Sequence, residues 1–377
     1  MRTHAAVLYE IEKPAPYAES LPLVIEEVEL ESPGPGEVLV EIVGAGLCHS
    51  DLSTLNGTLP RPVPMILGHE ASGIVREVGA GVRNLKIDDH VVFSFVPGCG
   101  YCQFCSVGRP ALCENGARAN LAGTLLNGNV RFRNPRGQSV MHYLGVAAFA
   151  QYTVAMQESL IKIEKDVPLD KAALFGCAIL TGVGAVMNTA KVAPGEGVVI
   201  FGLGGVGLSA VMGAQLAGAW PIIAVDLNAS RLELAKQLGA NFVINAGEGN
   251  PISAVRDLTR GGAAYAFEAV GNTKVLAQAF GATRTGGKTI AIGLPHASQQ
   301  VSLSGLALVG LEKTVMGSFM GSAIPRRDIP RLISLYQAGK LPLDLLLSPS
   351  LALEEINEGF DKLAQGTAVR QLVHFNA

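Results

Sequence analysis

Apolar positions along this chain change their spacing about half-way. In the first 170 residues they fall in short β-branched runs, Val38–Val43, Gly73–Val78, Val91–Phe95 and Gln151–Val154, separated by Pro and Gly. That pattern predicts an irregular β domain. From Val198 onward the pattern alternates. Val198–Phe201 is a continuous apolar run suited to a parallel strand buried on both faces. A glycine cluster follows, then helical composition over Leu208–Leu216 and a second strand over Pro221–Val225. Further strands over Asn241–Asn245, Ala264–Val270, Lys288–Leu294 and Lys313–Phe319, the earlier ones separated by helix-like segments, predict an α/β doubly wound parallel sheet. Arg326–Gly339 reads as a helix and Leu372–Phe375 as a terminal strand.

A length of 377 residues suits two domains. With 49% of residues apolar and 16% charged, the chain is not intrinsically disordered. A net charge of −3 without a basic stripe gives no sign of nucleic-acid binding. The stretch from Gly197 to Val225 carries no charge and is long enough to span a bilayer. Its seven glycines, Pro221 and the change of period within it favour strand, turn and helix instead. The N-terminus lacks the apolar core of a signal peptide, so a cytoplasmic protein is expected.

Cysteine narrows the chemistry. In a reducing compartment clustered cysteines hold metal more often than they form disulfides. Cys99, Cys102, Cys105 and Cys113 place four thiolates within fifteen residues, with Gly98, Gly100 and Gly108 around them. A redox pair or an iron–sulfur cluster is the alternative, but a closed four-sulfur shell favours structural zinc. Cys48 and Cys177 remain, together with His69 in Gly68-His69-Glu70. Each cysteine is either a small buried hydrophobe or, with His69, part of a three-ligand zinc site with an open fourth position. His4, His90, His142, His296 and His374 have no comparable surroundings and read as ordinary histidines.

Gly202-Leu-Gly204-Gly205-Val206-Gly207 lies between a strand and a helix, with Asp226 nineteen residues after the third motif glycine, Gly207. The glycines let backbone approach a pyrophosphate, and the helix N-terminus offers N–H groups and a partial positive charge. Asp226 suits the ribose hydroxyls and repels a 2′-phosphate, which points to NAD over NADP. Arg231 is the one residue that would welcome that phosphate, and with Asp226 present it reads as a ribose or surface contact.

Together these residues resemble the zinc-dependent medium-chain alcohol dehydrogenase family, over essentially the whole chain. The resemblance implies a Rossmann domain inserted in sequence into a mainly β, GroES-like catalytic domain. The expected limits are 1–178 for the catalytic domain, with its zinc lobe at about 97–115, then 179–319 for the Rossmann domain and 320–377 for the return. It implies two zinc ions per chain, one held by Cys48, His69 and Cys177 and one by Cys99, Cys102, Cys105 and Cys113. Ser50 matches the hydroxyl that hydrogen-bonds the substrate oxygen and passes its proton on. Asp51 and Glu70 match carboxylates behind the ligands, and Arg370 matches a contact to the cofactor pyrophosphate. Leu59, Phe95, Tyr143, Leu144, Leu294 and Phe319 match the pocket lining.

Two departures from the family pattern stand out. Ser53 occupies the place where many members have a histidine that delivers the proton to solvent. His49 stands where many have an arginine near the pyrophosphate, and it or water takes over that delivery. The segment Gly57-Thr-Leu-Pro-Arg-Pro62 carries no acid, whereas the glutathione-dependent formaldehyde dehydrogenases place acids there. The expected substrate is therefore an apolar or aromatic primary alcohol and its aldehyde. S-hydroxymethylglutathione ranks second, and a non-catalytic zinc and dinucleotide-binding redox sensor third. A homodimer or homotetramer is expected, with Lys313–Phe319 as a sheet-edge candidate for pairing.

Overall fold

Residues 1–375 are described by a computed structural model, and the two patterns become two units. The first takes residues 1–177, 324–334 and the chain from Leu346 on. The second takes residues 178–323 and 335–345.

In the first unit, Arg2–Leu8, Leu23–Leu30, Phe132–Arg133, Ser139–His142 and Met65–Ile66 close a five-stranded barrel. A six-stranded sheet accompanies it, with β1 (Glu37–Gly46) paired antiparallel to β2 (Glu70–Val78), to Tyr152–Met156 and to the terminal strand Leu372–His374. Each β run in the sequence is thus a strand, its ends moved by a few residues. A buried acid ties barrel and sheet together: Arg131 Nε donates to Glu37 Oε2 at 2.7 Å, and Asn127 and Asn129 donate to Oε1. The Arg131 backbone N–H donates to Nε2 of buried His142. Two helices of this unit recur below, α1 (His49–Leu55) and α2 (Glu114–Ala122).

The second unit holds six parallel strands: β3 (Val198–Phe201), β4 (Ile222–Asp226), β5 (Phe242–Asn245), β6 (Ala263–Glu268), β7 (Thr283–Ala291) and β8 (Thr314–Gly317). Their order in the sheet is β5-β4-β3-β6-β7-β8, and helix α3 (Gly205–Leu216) follows β3. This is the doubly wound order in which dinucleotides bind at the carboxyl ends of the central strands. Val199, Phe201, Ile223, Val225, Ala266 and Ala279 form its core, which is why these strands read as unbroken apolar runs. The uncharged stretch 197–225 is therefore strand, helix and strand. Among the described residues no single helix is long and apolar enough to cross a membrane.

Candidate active site

The β1–β2 register pairs Gly46 with Glu70. Cys48 lies just past the end of one strand and His69 just before the start of the other, so antiparallel pairing brings them together across 21 positions. Cys177 follows a tight turn over Ala173–Gly176. The ligand atoms of Cys48, His69, Cys177 and Glu70 all lie within 4.8 Å of one another, and all four residues are buried.

Asp51 organises this cluster. One carboxylate oxygen accepts from Gly68 N at 3.0 Å and meets His69 Nδ1 at 3.2 Å; the other accepts from Cys48 N at 3.2 Å. The contact fixes the imidazole and leaves Nε2 as its ligating atom. Burial opposes a charged imidazole, but Asp51 and Cys48 outweigh it and hold His69 well above its ordinary range. The Cys177 thiol, hydrogen-bonded to the Cys48 sulfur, holds Cys48 well below the usual thiol range. Two thiols and one imidazole around a common centre, one already favouring the thiolate, fit a zinc ion.

Behind the ligands, Glu70 pairs with Arg370, 300 residues away, and both are buried. Burial pushes the Glu70 carboxyl up to about 7 against the pull of Arg370. The guanidinium expected at the cofactor is thus engaged by a carboxylate, and its Nε–H, also buried, has no hydrogen-bond partner.

Ser50 Oγ lies 4.0 Å from Cys48 Sγ. Its carbonyl accepts from Tyr143 OH at 2.9 Å and from Thr54 Oγ1 at 3.4 Å. The Thr54 hydroxyl also reaches Leu59 O at 3.2 Å and Tyr143 OH at 3.2 Å. Edges and faces of Phe95 and Tyr143 meet the His69 ring at centroid distances of 5.4 and 5.7 Å. Four expected lining residues therefore occur in the first unit, with Phe95 and Tyr143 against the imidazole and Leu59 and Leu144 half-buried. Leu294 and Phe319 belong to the second unit, 55% and 42% exposed. His49 is exposed at the start of α1.

In the lobe, the four sulfurs of Cys99, Cys102, Cys105 and Cys113 also lie within 4.8 Å of one another. Backbone N–H groups point at them: Cys99 N to Cys113 Sγ at 3.3 Å, Cys102 N to Cys99 Sγ at 3.4 Å, Cys105 N to Cys102 Sγ at 3.5 Å. Asn115 Nδ2 adds a donor to Cys99 Sγ at 3.3 Å. The N–H of Cys105 is the largest influence lowering the Cys102 thiol, to about 6. Cys99 is lowered as well, whereas burial raises Cys113 and pushes Cys105 up to about 12. The donors favour thiolate at two of the four sulfurs, and a zinc ion would supply the charge that the other two need. None of the six cysteines is in a disulfide.

The glycine turn fits a dinucleotide. Gly202 has φ +87°, and a Cβ on Gly207 would sit 1.8 Å from Gly202 O, so strand and helix join only through glycine. A Cβ on Gly204 would meet nothing within 4 Å, leaving room beside the α3 N-terminus for phosphate oxygens. Gly205 is buried in the turn and Val206 half-buried. Asp226 closes β4, its oxygens accepting from Leu203 N at 2.6 Å and Asn228 N at 2.9 Å. Arg231 lies half-buried one helical turn further on.

Residues 34–165 match the alcohol dehydrogenase GroES-like domain and residues 205–338 the zinc-binding dehydrogenase domain. The chain is 40% identical over its full length, and the relative's, to the class-3 alcohol dehydrogenase of Cereibacter sphaeroides. It belongs to the zinc-dependent alcohol dehydrogenase family. Over 99% of this chain and all of the relative it is 39% identical to S-(hydroxymethyl)glutathione dehydrogenase of Paracoccus denitrificans. Among solved structures, benzyl alcohol dehydrogenase of Acinetobacter calcoaceticus superposes with a TM-score of 0.93 at 35% identity, each chain fully covered. As a zinc alcohol dehydrogenase the protein is an NAD-dependent oxidoreductase with GroES-like and Rossmann domains.

The family resemblance places Asp51 and Glu70 behind the ligands, with Asp51 at the outer nitrogen of His69. The structure adds the Asp51 contacts to Gly68 N and Cys48 N, the Thr54 hydroxyl and the Glu70–Arg370 pair. Of these, the acid three residues after Cys48, placed to cap α1, signals the Cys48 N contact.

Proposed function

We propose that this dehydrogenase oxidises S-(hydroxymethyl)glutathione, the adduct of formaldehyde and a thiol, reversibly with NAD. The name of the Paracoccus relative, matched over 99% of this chain, supports this substrate over the apolar alcohol that the acid-free segment Gly57–Pro62 favours. The observation that carries the chemistry is Ser50 Oγ beside the Cys48, His69 and Cys177 set. Cys48, His69 and Cys177 would hold a zinc ion that would supply Lewis acidity toward the substrate oxygen, with a bound nicotinamide as the hydride acceptor. Ser50 takes the hydroxyl proton as the C–H hydride leaves, and passes it toward His49 or water in place of the missing histidine at Ser53. Asp51 keeps His69 in its ligating tautomer. Phe95 and Tyr143 exclude water, with burial holding the Tyr143 phenol protonated.

Asp226 selects NAD, and Asp226→Ser should weaken NAD and relieve the exclusion of NADP. A homodimer or homotetramer is supported by β8 at the sheet edge and by Leu306 and Val309 beside it, 84% and 78% exposed. Six cysteines outside disulfides suit the reducing cytoplasm.

A second reading, benzyl or another apolar primary alcohol, is favoured by the aromatic pair at His69 and by the Acinetobacter neighbour's name. NADH formation from formaldehyde, with and without glutathione, decides between them. Turnover that needs the thiol supports the first reading. Fast thiol-free turnover of benzyl alcohol, with none from formaldehyde plus glutathione, establishes the second.

A further inference from the structure

Helix α2 begins at the lobe and ends beside the aromatic pair. Its N-cap is Cys113, whose sulfur accepts from Gly116 N at 3.3 Å. Gly116 and Asn120 are four residues apart and share one helical face. That face sits on the chain leading to Phe95. A Cβ on Gly116 would come within 2.5 Å of Pro97 O, and Asn120 Nδ2 donates to Phe95 O at 2.7 Å. At the far end, Gly123 takes φ +70° and its carbonyl accepts from His142 N at 2.8 Å, the residue before Tyr143. Both rings that meet His69 are thus hung from one short helix whose other end is a lobe cysteine.

Asn120 is buried, and only its amide N–H can face the Phe95 carbonyl, so the side-chain orientation is fixed. Its Oδ1 has no hydrogen-bond partner. The contact that fixes this side chain is therefore the donor bond to Phe95 O. We propose that Asn120 is a positioning residue, which holds Phe95 against the His69 imidazole and so links the four-cysteine lobe to the active site. The role of His69 in it rests on the zinc site of the proposed function.

Asn120→Asp keeps the size and removes the donor. Asn120→Leu removes both the donor and the unpaired acceptor, whose effects on stability oppose each other. Gly116→Ala pushes the helix from Pro97 one turn away. In the full-length protein labelled with fluorophenylalanine, the Phe95 signal, assigned by its loss in Phe95→Leu, should shift in all three variants. A chelator should extract one of the two zinc ions about tenfold faster, the size usual for residues that orient a ligand, while the other leaves at the wild-type rate. An unmoved Phe95 signal overturns the proposal, as does parallel acceleration of both zinc ions with a lowered Tm, which marks a general loss of structure. Wild-type protein that binds a single zinc refutes the site reading by itself, and the fluorine shift, which needs no metal, still decides whether Asn120 positions Phe95.

Discussion

The four-cysteine lobe and the Cys48–His69–Cys177 site gather thiols to similar distances by opposite means. The lobe draws its sulfurs from fifteen consecutive residues, and its own backbone N–H groups turn toward them. Its surface is partly open, with Cys99 and Cys105 half-buried. The other site takes residues from three distant segments, buries all of them and backs them with Asp51 and Glu70. Local sulfur with local donors makes a closed clamp that serves folding. On the function proposed above, distant ligands backed by carboxylates serve chemistry.

Cys48→Ala should divide the two most sharply. Turnover is expected to fall at least about a thousandfold, with one zinc lost per chain and the melting temperature little changed. Full activity in this variant, measured as NADH formation, would remove the functional half of the contrast. Cys102→Ala should do the reverse. Metal-linked folding free energy of several kcal/mol disappears, lowering Tm by roughly 10 °C, while the protein still folded at 25 °C keeps most of its kcat. Asp51→Asn should cost about 10- to 100-fold in activity or in affinity for one zinc, and leave lobe metal untouched by metal analysis.

The smallest effect separates acid damage to the scaffold from loss of metal. Burial opposes ionisation of Glu37, but the bonds from Arg131, Asn129 and Asn127 and the Gly34 N–H outweigh it and hold the carboxyl at about 2. Its folded pKa lies below the unfolded value of about 4.5, so its stabilisation is complete above about pH 4.5 and disappears as pH falls toward 2. Glu37→Gln should therefore melt lower than wild type at pH 7, and the gap should close in acid. A gap independent of pH would place the effect in packing.

The same contrast explains what could be read from the sequence. Short-range patterns were legible: the Cys-x2-Cys spacing, the glycine turn before α3, and the apolar runs that became β3 to β8. Each is set by neighbours a few residues apart. Asp51 at His69 came only from the family resemblance, its hold on Gly68 N needed the β1–β2 register, and Arg370 on Glu70 needed the terminal strand to return beside β1. Long-range pairing leaves no local mark. Of the expected lining, Phe95 and Tyr143 meet at His69 through the barrel and α2. Substrate choice was least legible, because the absence of acids in Gly57–Pro62 argues one way and the whole-chain relatives the other.

The Glu70–Arg370 pair also constrains how this chain can have changed over time. Removing one partner of a buried ion pair costs about 3–5 kcal/mol, a large share of the 5–15 kcal/mol that holds a domain together. A lineage altering either residue alone passes through a protein that has lost much of its stability margin. The two positions are therefore expected to change together, and relatives should carry both or have replaced both. Strand and tail, 300 residues apart, would then behave as a single heritable trait.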